Sequence, residues 1–516
     1  MIALAVILAF VLVALCVGIR SRRGRSMDLE QWSVGGRGFG SVFVFLLMAG
    51  EIYTTFTFLG ASGWAYGKGG PAFYILCYGS LAYVISYWLL PVIWSYAKQH
   101  QLLSQPDFFA AKYRSPALGV VVALVGVIAM VPYLVLQLQG LGVIVSVASY
   151  GHIGQHAAVV IGALVLAVYV TVSGIHGSAW TSVLKDGLIL AVVVVLGIYL
   201  PVHYFGSVGA MFHAVDAAEP GLLTLHSTGM SPTWFVSTVV LSALGFYMWP
   251  HSFAASYSAR NEQVFRRNAI FLPLYQLVLL FVLFVGFAAV LVVPGLKNGD
   301  LSLLTISLKA FPPWFVGVIG GAGVLTALVP GSLLLMTSAT SLAKNVYRVA
   351  RPASSDAQVR RLAKVLVPVL ALVALFFAFN GGSTIVSLLL MGYGLVTQLF
   401  PALILSLGHR RRATVPGAVA GMAVGVAVVV AFTLAGTGLG DVAPWLPRPV
   451  QDLNTGLVAL VANCAVLTVV SLLTGRAADG SSATDPAANA SADPSADPSS
   501  DPSADADRLA GDPATG

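Results

Sequence analysis

Residues 49–56 read AGEIYTTF, and they lie inside a stretch, Val42 to Ala65, whose only charged side chain is Glu51. An apolar run of this length crosses a hydrocarbon core of roughly 30 Å as a helix. A carboxylate at its middle costs about 2.5 to 3.5 kcal/mol on insertion scales, so it should face a cavity or a partner and not lipid. Gly50 before it and Tyr53, Thr54 and Thr55 after it suit a locally unwound helix, where freed carbonyls and amides line a binding site. A carboxylate that merely hydrogen-bonds a neighbouring helix is the plainer alternative, and the flanking glycine and hydroxyls weigh against it.

Similar runs recur along the 516 residues, of which 58% are hydrophobic and 9% charged. A soluble domain carries about a quarter charged residues. The runs lack the alternation of barrel strands, so the fold class is all-α, a polytopic membrane protein. Thirteen spans are expected, near residues 2–19, 40–66, 71–97, 117–147, 156–174, 186–206, 233–257, 269–293, 315–343, 363–379, 383–408, 416–437 and 453–474. If the N-terminus is outside, all but four of the 27 Lys and Arg residues (Lys68, Lys297, Lys309 and Arg448) fall on the cytoplasmic side. The positive-inside rule demands that asymmetry, which implies a plasma-membrane protein with a cytoplasmic C-terminus. The net charge of +7 therefore belongs to membrane loops and does not point to nucleic acid.

The first apolar segment has no basic residue ahead of it and a basic cluster behind it, so it reads as a helix and not as a cleaved signal. Cys16, Cys77 and Cys464 each lie within a span and offer neither a disulfide framework nor a metal spacing. From about Arg476 the chain becomes rich in Ser, Asp, Pro and Ala, so a membrane domain over 1–475 and a disordered tail over 476–516 are expected.

A second interruption falls in the seventh span, LSALGFYMWPHS, residues 241–252, where Pro250 removes a backbone donor and Gly245 loosens the same region. Two interrupted spans five apart fit two five-helix halves of opposite orientation around a midplane site. The halves would run from about 40 to 206 and from about 233 to 408, with extra helices at both ends.

At this point four stretches resemble the sodium:solute symporter family: WSVGGRGFGSVFVFLLMAGEIYTTFTFLGASGWAYGKGG, YVTVSGIHGSAWTSVLKDGLIL, GFYMWPHSFAASYSARNEQVFRRNA and TSLAKNVYR. In the last, Asn345 stands where the family usually has an acidic residue. The combination of MWPHS, VLKD and ALVPGS looks closest to the family's bacterial monocarboxylate permease branch. The resemblance implies a leucine-transporter-like 5+5 inverted repeat and symport of small organic anions such as pyruvate, lactate, acetate or propionate.

It also implies a sodium site built from carbonyls at Gly50 and Tyr53 and from paired hydroxyls on the ninth span. Here the hydroxyl places fall on Val329 and Pro330, which have no side-chain oxygen, and a family acidic position is Ser182. Ser332 and Thr326 are the nearby hydroxyls. The ion-coupling candidates are thus Gly50, Glu51, Tyr53, Ser182 and Ser332, with Gly50 and Tyr53 forming at most a weak sodium site. Because burial disfavours an ionised carboxylate, Glu51 is expected to carry a coupling proton in place of sodium.

For a substrate carboxylate the donors are Thr54, Thr55, Tyr247, Trp249 and His251, although His251 also reads as a cap beside Pro250. Lys185 and Asp186, at the inner mouth of the sixth span, read as an interfacial ion pair or as a gate. Tyr74, Tyr78, Gln137 and Gln139 rank below these.

The expected partners are a small organic anion and the bilayer; the coupling ion is H+ or Na+, with no other cofactor. A sodium-coupled symporter of another small solute, such as an amino acid, is the alternative. A channel would need a continuous polar path, a sensor a larger signalling module, and an enzyme a nucleophile or metal cluster, none of which the sequence supplies.

Overall fold

The structure, a computed structural model, describes residues 2–21, 29–408 and 413–482. The expected disordered tail lies, from residue 483 on, outside the described residues. Ten helices are long and apolar enough to cross a membrane, and an eleventh pass is the bent pair Ser41–Ile52 and Phe56–Lys68, inclined by 49°. The shorter apolar helices Gln155–Thr171 and Pro232–Met248 lie where hydropathy places the fifth and seventh of the thirteen expected spans, and the passes are numbered below in that order. Among the described residues the architecture is all-helical apart from one isolated bridge, Phe39 with Ala259.

The fifth and sixth passes are helical throughout Gln155–Phe205. A straight helix of that length would overshoot a bilayer of roughly 30 Å more than twofold. The Tyr169 hydroxyl nevertheless donates to Thr181 Oγ1 at 2.9 Å, although twelve residues separate the two by about 18 Å along a straight axis. The chain therefore turns between them. The sixth pass, Ile175–Phe205, starts earlier than hydropathy suggests and takes Lys185 and Asp186 into its buried wall.

The ninth pass, Pro313–Ala350, is apolar on all sides and lies at the centre, with every residue from Ile319 to Ser341 buried. Its glycines set how near the first pass can come. A Cβ at Gly317 would lie 2.8 Å from the Cβ of Val6 and 2.9 Å from the Cα of Ala3. Small residues at such crossings supply the packing that holds helices together in lipid. The twelfth and thirteenth passes, Val415–Ala435 and Thr455–Gly475, lie at the edge. They are tied inward by Asn463 Nδ2, which donates to the Gln398 carbonyl at 2.8 Å.

The two interrupted passes are joined at one end. Gly35 and Gly36 take positive φ, +65° and +64°, which turns the chain into the second pass. Just beyond, the Phe39 amide donates to the Ser258 carbonyl and the Arg260 amide to the Phe39 carbonyl, both at 3.0 Å. The second pass starts where the seventh ends, so the two broken helices run in opposite directions, as the halves of an inverted repeat must.

Candidate substrate and ion site at two helix breaks

The first break is centred on Tyr53, whose φ of −79° and ψ of +74° leave the helix. In a continuous helix the Thr54 amide would bond the Gly50 carbonyl; here it donates to the Ile52 carbonyl at 2.9 Å. Threonine hydroxyls take up the exposed backbone: Thr57 Oγ1 donates to the Ile52 carbonyl at 2.8 Å, and the Phe56 amide donates to Thr54 Oγ1 at 3.1 Å. Side chains from other passes take the rest. Tyr133 OH donates to the Glu51 carbonyl at 2.8 Å and Lys185 Nζ to the Tyr53 carbonyl at 3.2 Å. The Glu51, Ile52 and Tyr53 carbonyls thus each have a donor, as a water-free interior requires.

The second break is at Trp249, extended at φ −66° and ψ +132°, between the turn Phe246–Met248 and the half-helix Pro250–Tyr257. Pro250 sits at the first helical position, where its missing amide is not needed. The Met248 carbonyl, freed by the break, accepts from Gln105 Nε2 at 2.6 Å. In the first turn after the break, Ser252 Oγ donates to Glu51 Oε2 at 2.7 Å. The carboxylate of one interrupted helix is thus held at the N-terminal end of the other, where the helix dipole favours negative charge.

Among the substrate candidates, Thr54 is turned into its own backbone, while Thr55 Oγ1 donates to Gln137 Oε1 at 2.8 Å. Tyr247, Trp249 and His251 gather at the second break. All five are at most 2% exposed, so the site is closed to solvent. His251 Nδ1, Gln137 Nε2 and Glu51 Oε1 are buried without a hydrogen-bond partner, while Tyr247 lies against Ser86 and Trp249 against Tyr393. Aromatic rings wall this region: Tyr133 lies 5.1 Å from Trp249 and 5.7 Å from His251, and Tyr393 lies 5.4 Å from Trp249 and 5.5 Å from Tyr78. An apolar enclosure lined by N–H and O–H groups suits a small anion, which the neighbouring Glu51 carboxyl admits only when it carries no charge. Gln139 faces a separate cleft with Asn298 and Asp300.

The ion-coupling candidates divide into two places. Glu51 belongs to the second break. On the opposite side of the first break lie Gly50, the Tyr53 carbonyl, Ser182, Lys185 and Asp186. Ser182 Oγ donates to the Ser178 carbonyl at 2.8 Å, and Ser332 Oγ pairs with Ser178 Oγ at 2.8 Å and donates to the Val329 carbonyl at 2.6 Å. Lys185 and Asp186 are 0% and 3% exposed and lie against the break, well inside the sixth pass.

Sequence reasoning passed over Ser252, Tyr133 and Gln105, whose roles depend on contacts between distant segments. Lone polar residues in apolar helices are the signal that could have marked them.

A helical bundle with two oppositely directed broken spans around a closed polar centre defines a secondary transporter. The chain belongs to the sodium:solute symporter family, whose sequence model matches residues 32–425. It is 62% identical to a Bacillus subtilis (strain 168) protein described as "uncharacterized symporter YhjB", over 94% of this chain and 99% of that one. It is 29% identical to the monocarboxylate transport permease protein of Rhizobium johnstonii, over 91% of this chain and 96% of that one. A Na+-coupled sialic acid symporter in a substrate-bound outward-open state shares the fold, with a TM-score of 0.74 at 16% identity over 92% of this chain and 98% of that one. The protein is accordingly a cation-coupled symporter of a small solute, and not an enzyme.

Proposed function

We propose that this symporter takes up small monocarboxylates such as pyruvate, lactate, acetate or propionate together with protons, by alternating access around the two breaks. The observation that carries the reading is Glu51. Its carboxyl bridges both broken helices through Ser252 and keeps Oε1 unpaired in an enclosed interior. A charge buried there without a cationic partner is costly, so proton uptake favours the closed state, and proton loss favours opening toward water. Gln137 supplies an unpaired donor for the substrate carboxylate, with the Tyr247 hydroxyl and the Trp249 indole at the second break as further donors. The resemblance to a monocarboxylate permease supports the same substrate class. The N-terminus is outside and the C-terminus cytoplasmic, in keeping with the distribution of Lys and Arg.

The test is uptake of labelled pyruvate by purified protein in liposomes, with proton and sodium gradients imposed separately. Accumulation should follow an inward proton gradient and compete with lactate and propionate. Accumulation driven by sodium alone, or by an amino acid substrate to the exclusion of monocarboxylates, would sink the proposal.

A further inference from the structure

The side of the first break away from Glu51 is where the family resemblance would put sodium, and the residues there do not fit it. A hard cation needs several oxygen ligands at about 2.4 Å. The ninth pass offers Val329 and Pro330 at the two hydroxyl places, and the nearby Ser332 is turned to Ser178 and to its own helix. What stands at the break is an ammonium group. Lys185 Nζ donates to the Tyr53 carbonyl at 3.2 Å and lies 2.6 Å from Asp186 Oδ1. A Cβ built on Gly50 would come within 3.1 Å of Nζ, so the ammonium lies close against the backbone at Gly50. Lys185 is wholly buried, and Lys and Asp in such places persist only when paired.

We infer that the ammonium of Lys185 is a tethered cation that takes the place of sodium at the first break, holding the Tyr53 carbonyl so that the broken helix closes without a bound metal ion. The inference concerns the cation site alone and holds whatever anion is carried. Asp186, the next residue on the same helix, balances the charge of Lys185 through its Oδ1. Around Nζ the charged or titratable groups are Asp186 beside it, Tyr53, whose hydroxyl donates to the Tyr275 carbonyl at 2.8 Å, and Tyr275, whose ring lies 4.7 Å from that of Tyr53. The only full charge among them is Asp186. Removing the lysine would leave a buried carboxylate, the Tyr53 carbonyl and the Ser182 hydroxyl around a space the size of a monovalent cation.

The experiment is the melting temperature of the purified full-length protein in sodium chloride against choline chloride, for four forms: wild type, Lys185→Ala, Lys185→Arg, and Lys185→Ala with Asp186→Asn. Wild type and Lys185→Arg should melt alike in the two salts. Lys185→Ala should melt lower in choline and recover by roughly 2 to 5 °C in sodium, through binding of the ion to the folded state. The double variant should lose that sodium effect. Saturable stabilisation of the wild type by sodium would overturn the inference, as would a folded Lys185→Ala indifferent to sodium. Should Lys185→Ala not fold, binding of radioactive sodium to the wild type decides: none supports the tethered cation, and saturable binding overturns it. Neither measurement uses a substrate, so failure here leaves the monocarboxylate reading standing.

Discussion

Ser252 and Glu51 lie on different interrupted helices and are joined by a hydrogen bond of 2.7 Å from the serine hydroxyl to Oε2. The bond couples the protonation state of one break to the geometry of the other. Glu51→Gln keeps the shape and an acceptor for Ser252 but cannot cycle a proton. It should retain exchange of labelled for unlabelled substrate, while concentrative uptake driven by a proton gradient falls at least about tenfold, equivalent to roughly 1.4 kcal/mol. Ser252→Ala removes a single hydrogen bond to a carboxyl that is protonated in the closed state and should slow uptake by a smaller factor, since neutral bonds of this kind contribute about 0.5 to 1.5 kcal/mol. Equal accumulation by Glu51→Gln and wild type would show that the carboxyl carries no coupling proton.

Gln137 faces the first break from the fourth pass, its Oε1 accepting from Thr55 and its Nε2 unpaired. If that amide receives the substrate carboxylate, Gln137→Glu exchanges a donor for an acceptor and brings a like charge toward the anion. KM for pyruvate should rise at least about tenfold, with a smaller change in kcat, because the lost contact is made in the ground state as well. Gln137→Ala should lie between the two. A KM unchanged in both variants would move the substrate away from this face.

How far such a site can be read from residue order depends on which force writes it. The bilayer imposes a length and a polarity on each pass, so the apolar helices and both breaks are legible in apolar runs, Gly50, Gly245 and Pro250. The start of the sixth pass is not, because its first turns carry His176, Ser178, Ser182, Lys185 and Asp186, all buried against protein and so invisible to a hydropathy rule that assumes lipid. For the same reason Lys185 looks like the mouth of a helix when it lies against the Tyr53 carbonyl. Glu51 could be singled out alone; its partner Ser252, 201 residues on, could not, since a serine in a membrane helix usually bonds its own backbone.

The second break rests on the fourth pass at a point of close approach. A Cβ on Gly126 would come within 2.7 Å of Pro250 Cγ, closer than packed carbons allow. Gly126→Val should push the half-helix Pro250–Tyr257, and with it Ser252, away from Glu51. Overpacking of this kind costs about 1 to 3 kcal/mol, so the purified variant should melt a few degrees lower. Uptake should fall by at least about the factor seen in Ser252→Ala, because both changes weaken the same bond. Normal uptake by a destabilised Gly126→Val would show that the break tolerates displacement.

At the C-terminal end of the ninth pass Asn345 stands in a place the family resemblance leads one to expect acidic, and the missing carboxylate comes from another segment. Asp107, on the short helix Gln105–Tyr113, accepts from Asn345 Nδ2 at 2.7 Å and pairs with Lys344, while Ser104 Oγ donates to Asn345 Oδ1 at 3.0 Å. Burial alone would raise the Asp107 carboxyl, but Lys344, Asn345 and the Leu103 amide together hold it below the usual carboxylate range. A carboxyl depressed in the folded state contributes stability above its unfolded value and loses it as pH falls through the folded value. Asp107→Asn should therefore melt lower than wild type near pH 7, by an amount corresponding to about 1 to 3 kcal/mol. The difference should hold down to about pH 4, where free aspartate begins to protonate, and shrink below it. Melting curves of both proteins from neutral pH downward check the sign. A gap that widened on acidification would mean that the ion pair with Lys344 does not hold the ninth pass to the helix beside it.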